Sequence, residues 1–223
     1  MAATPRYTLL QIASLALLLV FSLIARTNDP KLFTLSEKLL ASVKETHGEI
    51  AVARLEHWQS LIRNNQDTTE LAKLNLVNNF FNGARFVNDI DLWKTKDYWA
   101  TPIEFLSLDA GDCEDFSIAK YFTLKELGVP TSKMRITYTK SVTYNQAHMV
   151  LAYYETPSSV PLILDNINKQ IKPASERTDL TPVYSFNADS LWLNRSRNEQ
   201  LRAGKSDKIK RWMDLTERMA SQE

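Results

Sequence analysis

The sequence predicts an α+β domain in which helices come first and an antiparallel sheet packs against them. Three observations carry this. Apolar residues recur at helical spacing through much of residues 34–82. Beyond Pro130 the pattern changes to short runs rich in β-branched and aromatic residues, which favour strands. Between the two lies GDCEDFSIAKYFTLKELGVP, residues 111–130, a helix that carries the one cysteine of the chain, Cys113, near its start.

The elements follow in order. Residues 1–25 begin with Arg6 as a positive flank, and Thr8 to Ala25 is uncharged and mostly apolar. This reads first as a cleaved export signal. The run is near the lower limit for a membrane span, and cleavage after Ala25 would leave Leu23 where a small residue is preferred, so an uncleaved inner-membrane anchor is the second reading. Residues 26–100 form an N-terminal helical part. One helical stretch runs from about Thr34 to Arg63 and is bent or broken at Gly48; a second runs from about Thr69 to Asn82, with Asp67 or Thr68 as its cap and Gly83 as its stop. Residues 101–194 form the core of the domain. Thr101-Pro102 with Glu104 marks a short helix start. The cysteine helix then spans about Asp112 to Glu126 and is closed by Gly128 and Pro130. MRITYTKSV, HMVLAYYE and PLILDNI read as strands, and a further short strand is expected within TPVYSFNADSLWL. Residues 195–223 are charged with sparse apolar positions, the pattern of an exposed, partly docked helical tail.

Bulk composition narrows the function. The chain has 223 residues, 27 Lys+Arg against 26 Asp+Glu, so no global basic field draws nucleic acid, and none is expected as a partner. Five glycines occur, without a phosphate-cradling pattern. A single cysteine excludes an intrachain disulfide in an exported protein. A lone thiol in an oxidising compartment is either buried or used.

Use requires a thiolate, a histidine that takes the thiol proton and a third group that orients the imidazole. Cys113 sits in the first turn of its helix, where the positive end of the dipole lowers thiol pKa. His148 opens one strand and Asp165 closes the next, so adjacent antiparallel strands would bring them to one sheet edge. The plainer readings are a buried structural cysteine, an ordinary strand histidine and an Asp165-Asn166 turn. His47 and His57 fall in the N-terminal helices, which leaves His148 as the histidine placed for chemistry. The Cys113 N–H, at a helix N-terminus, is an oxyanion donor candidate, and Trp93, Tyr98 and Trp99 are candidates for the second donor or for packing.

Asp112, Glu114 and Asp115 crowd the cysteine. On an ideal helix they point about 0°, 200° and 300° around the axis, with Cys113 near 100°. Asp115 then faces away from the thiol and Asp112 flanks it, so that the acids can converge on a site beside the cysteine. Acids in a first helical turn each stabilise the helix by roughly 0.3–1 kcal/mol. Three of them also oppose thiol ionisation, a logic that a bound dication inverts.

The strings FFNGARFVNDIDLW, DYWATPIEFL, GDCEDFSIAKYFTLKELGVP, AHMVLAYYE, LILDNI and PASERTDLTPVYSFN resemble the bacterial transglutaminase-like cysteine proteinases, in particular the LapG-type periplasmic proteases. The resemblance runs from about Leu74 to Leu193. It implies a papain/transglutaminase-like fold, with Cys113, His148 and Asp165 as the catalytic set and Asp112, Glu114 and Asp115 as ligands for Ca2+. It implies a calcium-dependent cysteine endopeptidase of the periplasm that cleaves the N-terminal region of a large adhesin retained at the outer membrane, releasing it and promoting biofilm dispersal. It also implies an inhibitory partner, an inner-membrane receptor for cyclic di-GMP. Two other readings stay open on the residues alone: a transglutaminase-like acyltransferase using the same triad, and a non-catalytic calcium-dependent adaptor.

Overall fold

Local sequence signals set the helices of the N-terminal half. The computed structural model describes residues 33–196 and 199–222. Helix α1 (Glu37–His47) is capped by the Ser36 hydroxyl, which accepts from the Leu39 N–H. Gly48, at φ 80°, breaks the helical stretch as expected and hands over to α2 (Glu49–Asn64). Helix α3 (Glu70–Phe81) is capped by Thr69 rather than by Asp67 or Thr68, because Thr69 Oγ1 is the atom that reaches the Ala72 N–H. A short parallel pair, β1 (Arg85–Phe86) and β2 (Ala110–Gly111), brackets α4 (Asp89–Leu92) and α5 (Pro102–Leu108). The Thr101–Glu104 capping box fixes the start of α5.

The cysteine helix, α6 (Cys113–Glu126), is the hub of the core. Every residue from Asp115 to Leu124 is buried, so it has no solvated face. The sheet packs on one side of it and α3 and α5 on others. Trp58 of α2 donates its indole N–H to Thr123 Oγ1 at 2.8 Å, joining the N-terminal helices to the hub.

Seven strands form one sheet in the order β6-β5-β4-β3-β7-β8-β9, every neighbouring pair antiparallel: β3 (Met134–Ser141), β4 (Gln146–Tyr153), β5 (Leu162–Leu164), β6 (Lys172–Pro173), β7 (Leu180–Phe186), β8 (Leu191–Ser196) and β9 (Glu199–Gly204). Leu151 of β4 faces Leu164 of β5, so the start of β4 and the end of β5 lie at the same edge.

The C-terminal expectation needs correction. Residues 195–223 are not a helical tail throughout: β9 returns along β8, and helix α7 begins only at Lys210 and ends at Gln222. Pairing with β8 satisfies the backbone of a segment whose charged side chains gave no strand signal. Helix α7 docks through Trp212 and Leu215, both buried, with Trp212 stacked on Phe122 at 5.4 Å. Residues 33–223 form one compact unit, so the N-terminal helices, the core and α7 share one body. Among the described residues no helix is long and apolar enough to cross a membrane. The signal or anchor expected at residues 1–25 lies outside the described residues.

Candidate active site

Cys113 opens α6 directly after β2. The cysteine helix packs against β4, and the backbone N–H of Met149, the residue after His148, favours the thiolate from that strand. The thiol itself donates to Glu114 Oε2 at 3.1 Å. Burial, the charges of Glu114 and Asp112 and that hydrogen bond push the thiol pKa well above its ordinary value, against the Met149 N–H. Without a compensating charge the cysteine is held as a thiol.

His148 and Asp165 meet as the strand order requires. His148 is 3 % exposed and Asp165 1 %. Asp165 accepts only, so His148 Nε2 donates to Asp165 Oδ1 across 2.8 Å. That bond commits Nε2 and leaves Nδ1 as the ring's proton acceptor. The second oxygen, Oδ2, accepts from Arg177 Nη2 at 2.7 Å, and the Ile167 N–H also donates to Oδ1. Burial alone would push the Asp165 carboxyl up; the bond from His148, its charge, Ile167 and Arg177 outweigh burial and hold it well below the carboxylate range.

The pH consequence follows from that sign. A carboxyl with a depressed folded pKa contributes stability that is present above its unfolded value, about 3.9, and lost as pH falls through the folded value. Urea midpoints are therefore expected to fall on acidification below about pH 4. Arg177→Met removes the arginine partner of a buried carboxylate, with an expected cost of about 3–5 kcal/mol at neutral pH and a shallower acid slope. A midpoint unchanged by Arg177→Met at pH 7 would contradict this account of Asp165.

The acids form a denser group than the sequence indicated. Asp115 is fully buried; its Oδ1 accepts from the Ala100 N–H at 2.7 Å and its Oδ2 from the Asp112 N–H at 3.2 Å. Asp115 thus locks the loop before α5 to the start of α6. Glu114, rather than Asp112 alone, flanks the thiol. Two acids outside the GDCED string join them. Asp89, at the start of α4, forms a group with Asp112 and Asp115, and Asp89, Asp97 and Glu114 form another, each set with one ligand atom apiece within 4.8 Å of the others. Burial pushes the Asp89 carboxyl to about 6, and burial with the Glu114 charge pushes Asp112 to about 10. Asp89 Oδ1 and Asp112 Oδ1 are buried without a hydrogen-bond partner among the described residues. Clustered carboxylates with unpartnered buried oxygens fit a hard divalent cation with oxygen ligands.

Gly111 lets this cluster close. A Cβ there would lie 2.6 Å from Asp115 Oδ2 and 2.7 Å from a Phe105 ring carbon. Gly111→Ala is expected to cost about 1–3 kcal/mol by overpacking. Thermal unfolding of the variant checks this; an unchanged midpoint would show that Asp115 is free to move.

Three features lay beyond the sequence reading. Asp89 and Asp97 come from NDIDLWKTKDYW, brought to the cysteine by the parallel β1–β2 pairing, which short runs do not announce. Arg177 sits in a 3-10 turn cap between β6 and β7 and carried no sequence signal for Asp165. Of the three aromatic candidates, Trp99 is buried on Phe186 with its indole N–H on Asp97, and the Tyr98 hydroxyl donates to Glu104. Trp93 stacks near Tyr98, and its Nε1–H is buried without a partner among the described residues.

A cysteine at a helix start, packed beside a strand whose histidine is held by a carboxylate, defines a thiol-enzyme layout on a papain/transglutaminase-like fold. A family model described as bacterial transglutaminase-like cysteine proteinase matches residues 44–198, and the chain belongs to that family. Solved structures agree. LapG of Legionella pneumophila is 42 % identical, with a TM-score of 0.73, over 84 % of this chain and 98 % of its own; an EGTA-treated form of that protein gives the same values. The calcium-bound form is 42 % identical with a TM-score of 0.71, over 83 % of this chain and 99 % of its own. Comparison with curated protein sequences returned no match.

Proposed function

We propose that this protein is a calcium-dependent cysteine endopeptidase with Cys113, His148 and Asp165 as its catalytic triad. The observation that carries the reading is the bond from His148 Nε2 to a buried, arginine-clamped Asp165, on a strand packed against the helix that Cys113 opens. His148 takes the thiol proton at Nδ1 and later gives it to the leaving amine. Asp165 holds the tautomer and stabilises the imidazolium. Cys113 attacks the scissile carbonyl and forms the acyl-enzyme, and water releases it. The Cys113 N–H, at the start of α6, donates to the developing oxyanion.

Asp112, Glu114 and Asp115, with Asp89 beside them, are the residues that would hold calcium; a relative of this family has been solved with calcium bound. When bound, the ion supplies the charge that cancels the acids' repulsion of one another and of a Cys113 thiolate. Glu114, whose Oε2 accepts from the thiol at 3.1 Å, is one of the carboxylates the ion would engage.

From the resemblance of its sequence to the LapG-type proteases we further infer a periplasmic location and a large outer-membrane-retained adhesin as substrate, cleaved in its N-terminal region to release it and disperse biofilm. The same resemblance carries the inference of sequestration by an inner-membrane cyclic di-GMP receptor. The test is incubation of the purified protein with the N-terminal region of a candidate adhesin, with calcium, with EGTA, and with Cys113→Ser in place of the wild type. One scission, mapped by mass spectrometry and seen only with calcium and Cys113, is expected. Incorporation of a primary amine into a glutamine peptide without scission would replace hydrolysis by acyl transfer.

A further inference from the structure

A lysine is buried on the hub helix close behind the proposed triad. Lys120, two turns beyond Cys113 on α6, is 1 % exposed, and its ring neighbour is Phe116 at 5.8 Å. Its ammonium donates to Asn82 Oδ1 at 2.8 Å. Asn82, itself buried just past α3, gives its other amide atom, Nδ2, to the backbone carbonyl of Asp165 at 2.9 Å. The Asn82 carbonyl in turn accepts from Lys169 Nζ at 2.9 Å, and Asn78 Nδ2 donates to the Lys169 carbonyl at 2.8 Å.

The chemistry of these groups gives the chain a direction. A lysine ammonium donates and never accepts, so the Asn82 amide must present its oxygen to Lys120. With the oxygen so fixed, the NH2 end is aimed at the Asp165 carbonyl. A flipped amide would set donor against donor at Lys120 and acceptor against acceptor at Asp165. The arrangement is costly. Burial pulls the Lys120 pKa down to about 7, opposed by the charge of Asp165 and aided by that of Lys169. His148 and Arg177 occupy the carboxylate of Asp165, so the hydrogen-bonded route from Lys120 to this residue runs through Asn82 to its main chain.

We propose that Lys120 is a positioning residue: through Asn82 it fixes the backbone of Asp165, and with it the direction in which the Asp165 carboxylate holds His148. The inference rests on the reading of His148 and Asp165 as a catalytic pair. It makes α6 carry both the nucleophile at its first turn and, seven residues on, the group that aligns the orienting acid.

The test uses the full chain labelled with 15N-histidine. Only three imidazoles occur, and His47 and His57 are exposed, so a protected Nε2–H resonance belongs to His148 and is assigned by its loss in His148→Gln. Lys120→Met keeps the length of the side chain and removes the donor. It is expected to shift that resonance and speed its exchange with water, leaving His47 and His57 in place. Iodoacetamide alkylation of Cys113 in saturating calcium should slow by roughly 10- to 100-fold, the loss expected of a misaligned general base. Asn82→Asp keeps an acceptor for Lys120 but takes the donor from the Asp165 carbonyl, and should do the same; it carries the test if Lys120→Met fails to fold. A folded Lys120→Met with the wild-type resonance and alkylation rate overturns the inference, whatever its melting temperature. A His148→Gln variant alkylated as fast as the wild type would instead overturn the pairing of His148 with Cys113, and the inference with it.

Discussion

His148→Ala is expected to lower peptide-bond cleavage by roughly 10⁴-fold, the loss seen when a triad loses a working member. The reason lies in the thiol. Burial, Glu114 and Asp112 already oppose its ionisation, and His148 is the base proposed for it. An unpaired cysteine with a pKa near 8.5 is only about 3 % thiolate at pH 7, and Cys113 lies above that value. Alkylation of Cys113 should fall in parallel. Stability should change less than activity if Asp165 keeps its bonds to Arg177 and the Ile167 N–H, so circular dichroism and a thermal melt separate a chemical loss from an unfolded one. Cleavage at near wild-type rates in a folded His148→Ala protein would remove the triad reading.

The second large effect concerns the acids. Asp112→Asn is nearly isosteric and removes a carboxyl that the cluster forces to keep its proton, one whose Oδ1 makes no hydrogen bond among the described residues. It should raise the melting temperature in EGTA, because folding no longer has to protonate that carboxyl against burial and its acidic neighbours, and abolish the further rise on adding calcium. Asp115→Ala behaves differently. It strips the acceptor from two backbone N–H groups, of Ala100 and Asp112, and should destabilise by about 2–4 kcal/mol with or without the ion. Both variants should lose calcium-dependent cleavage. Full, chelator-insensitive proteolysis by either would show that the cluster has no part in activation.

Much of this molecule was legible because local signals agreed with tertiary demand. Thr101-Pro102 with Glu104 marked the start of α5, and Gly48 takes the positive φ that separates α1 from α2; the cap of α3 fell one or two residues later than expected, at Thr69. The three central strands were readable from β-branched and aromatic runs, and adjacency of β4 and β5 then brought His148 to Asp165. The remainder depended on partners far away in the chain. Strand β9 exists because β8 lies beside it; its own residues are charged and argued for an exposed helix. Helical geometry set Asp115 away from the thiol but could not show that it ties down Ala100, fifteen residues upstream. Asp89 and Asp97 joined the cluster through a two-residue parallel pairing, and Arg177 reached Asp165 from a turn. Lys120 carried no sequence signal, because its burial depends on every side of α6 being covered.

The central claim is that a cation at the acid cluster converts Cys113 from a thiol held by Glu114 into a nucleophile served by His148. It is tested most directly by the rate of iodoacetamide alkylation of Cys113 in the wild-type protein at pH 7, in EGTA and after addition of calcium, with intact mass as the readout. The account predicts slow alkylation in EGTA, a marked acceleration with calcium, and no acceleration in His148→Ala. Equal rates with and without calcium, in a protein that binds the ion, would contradict it.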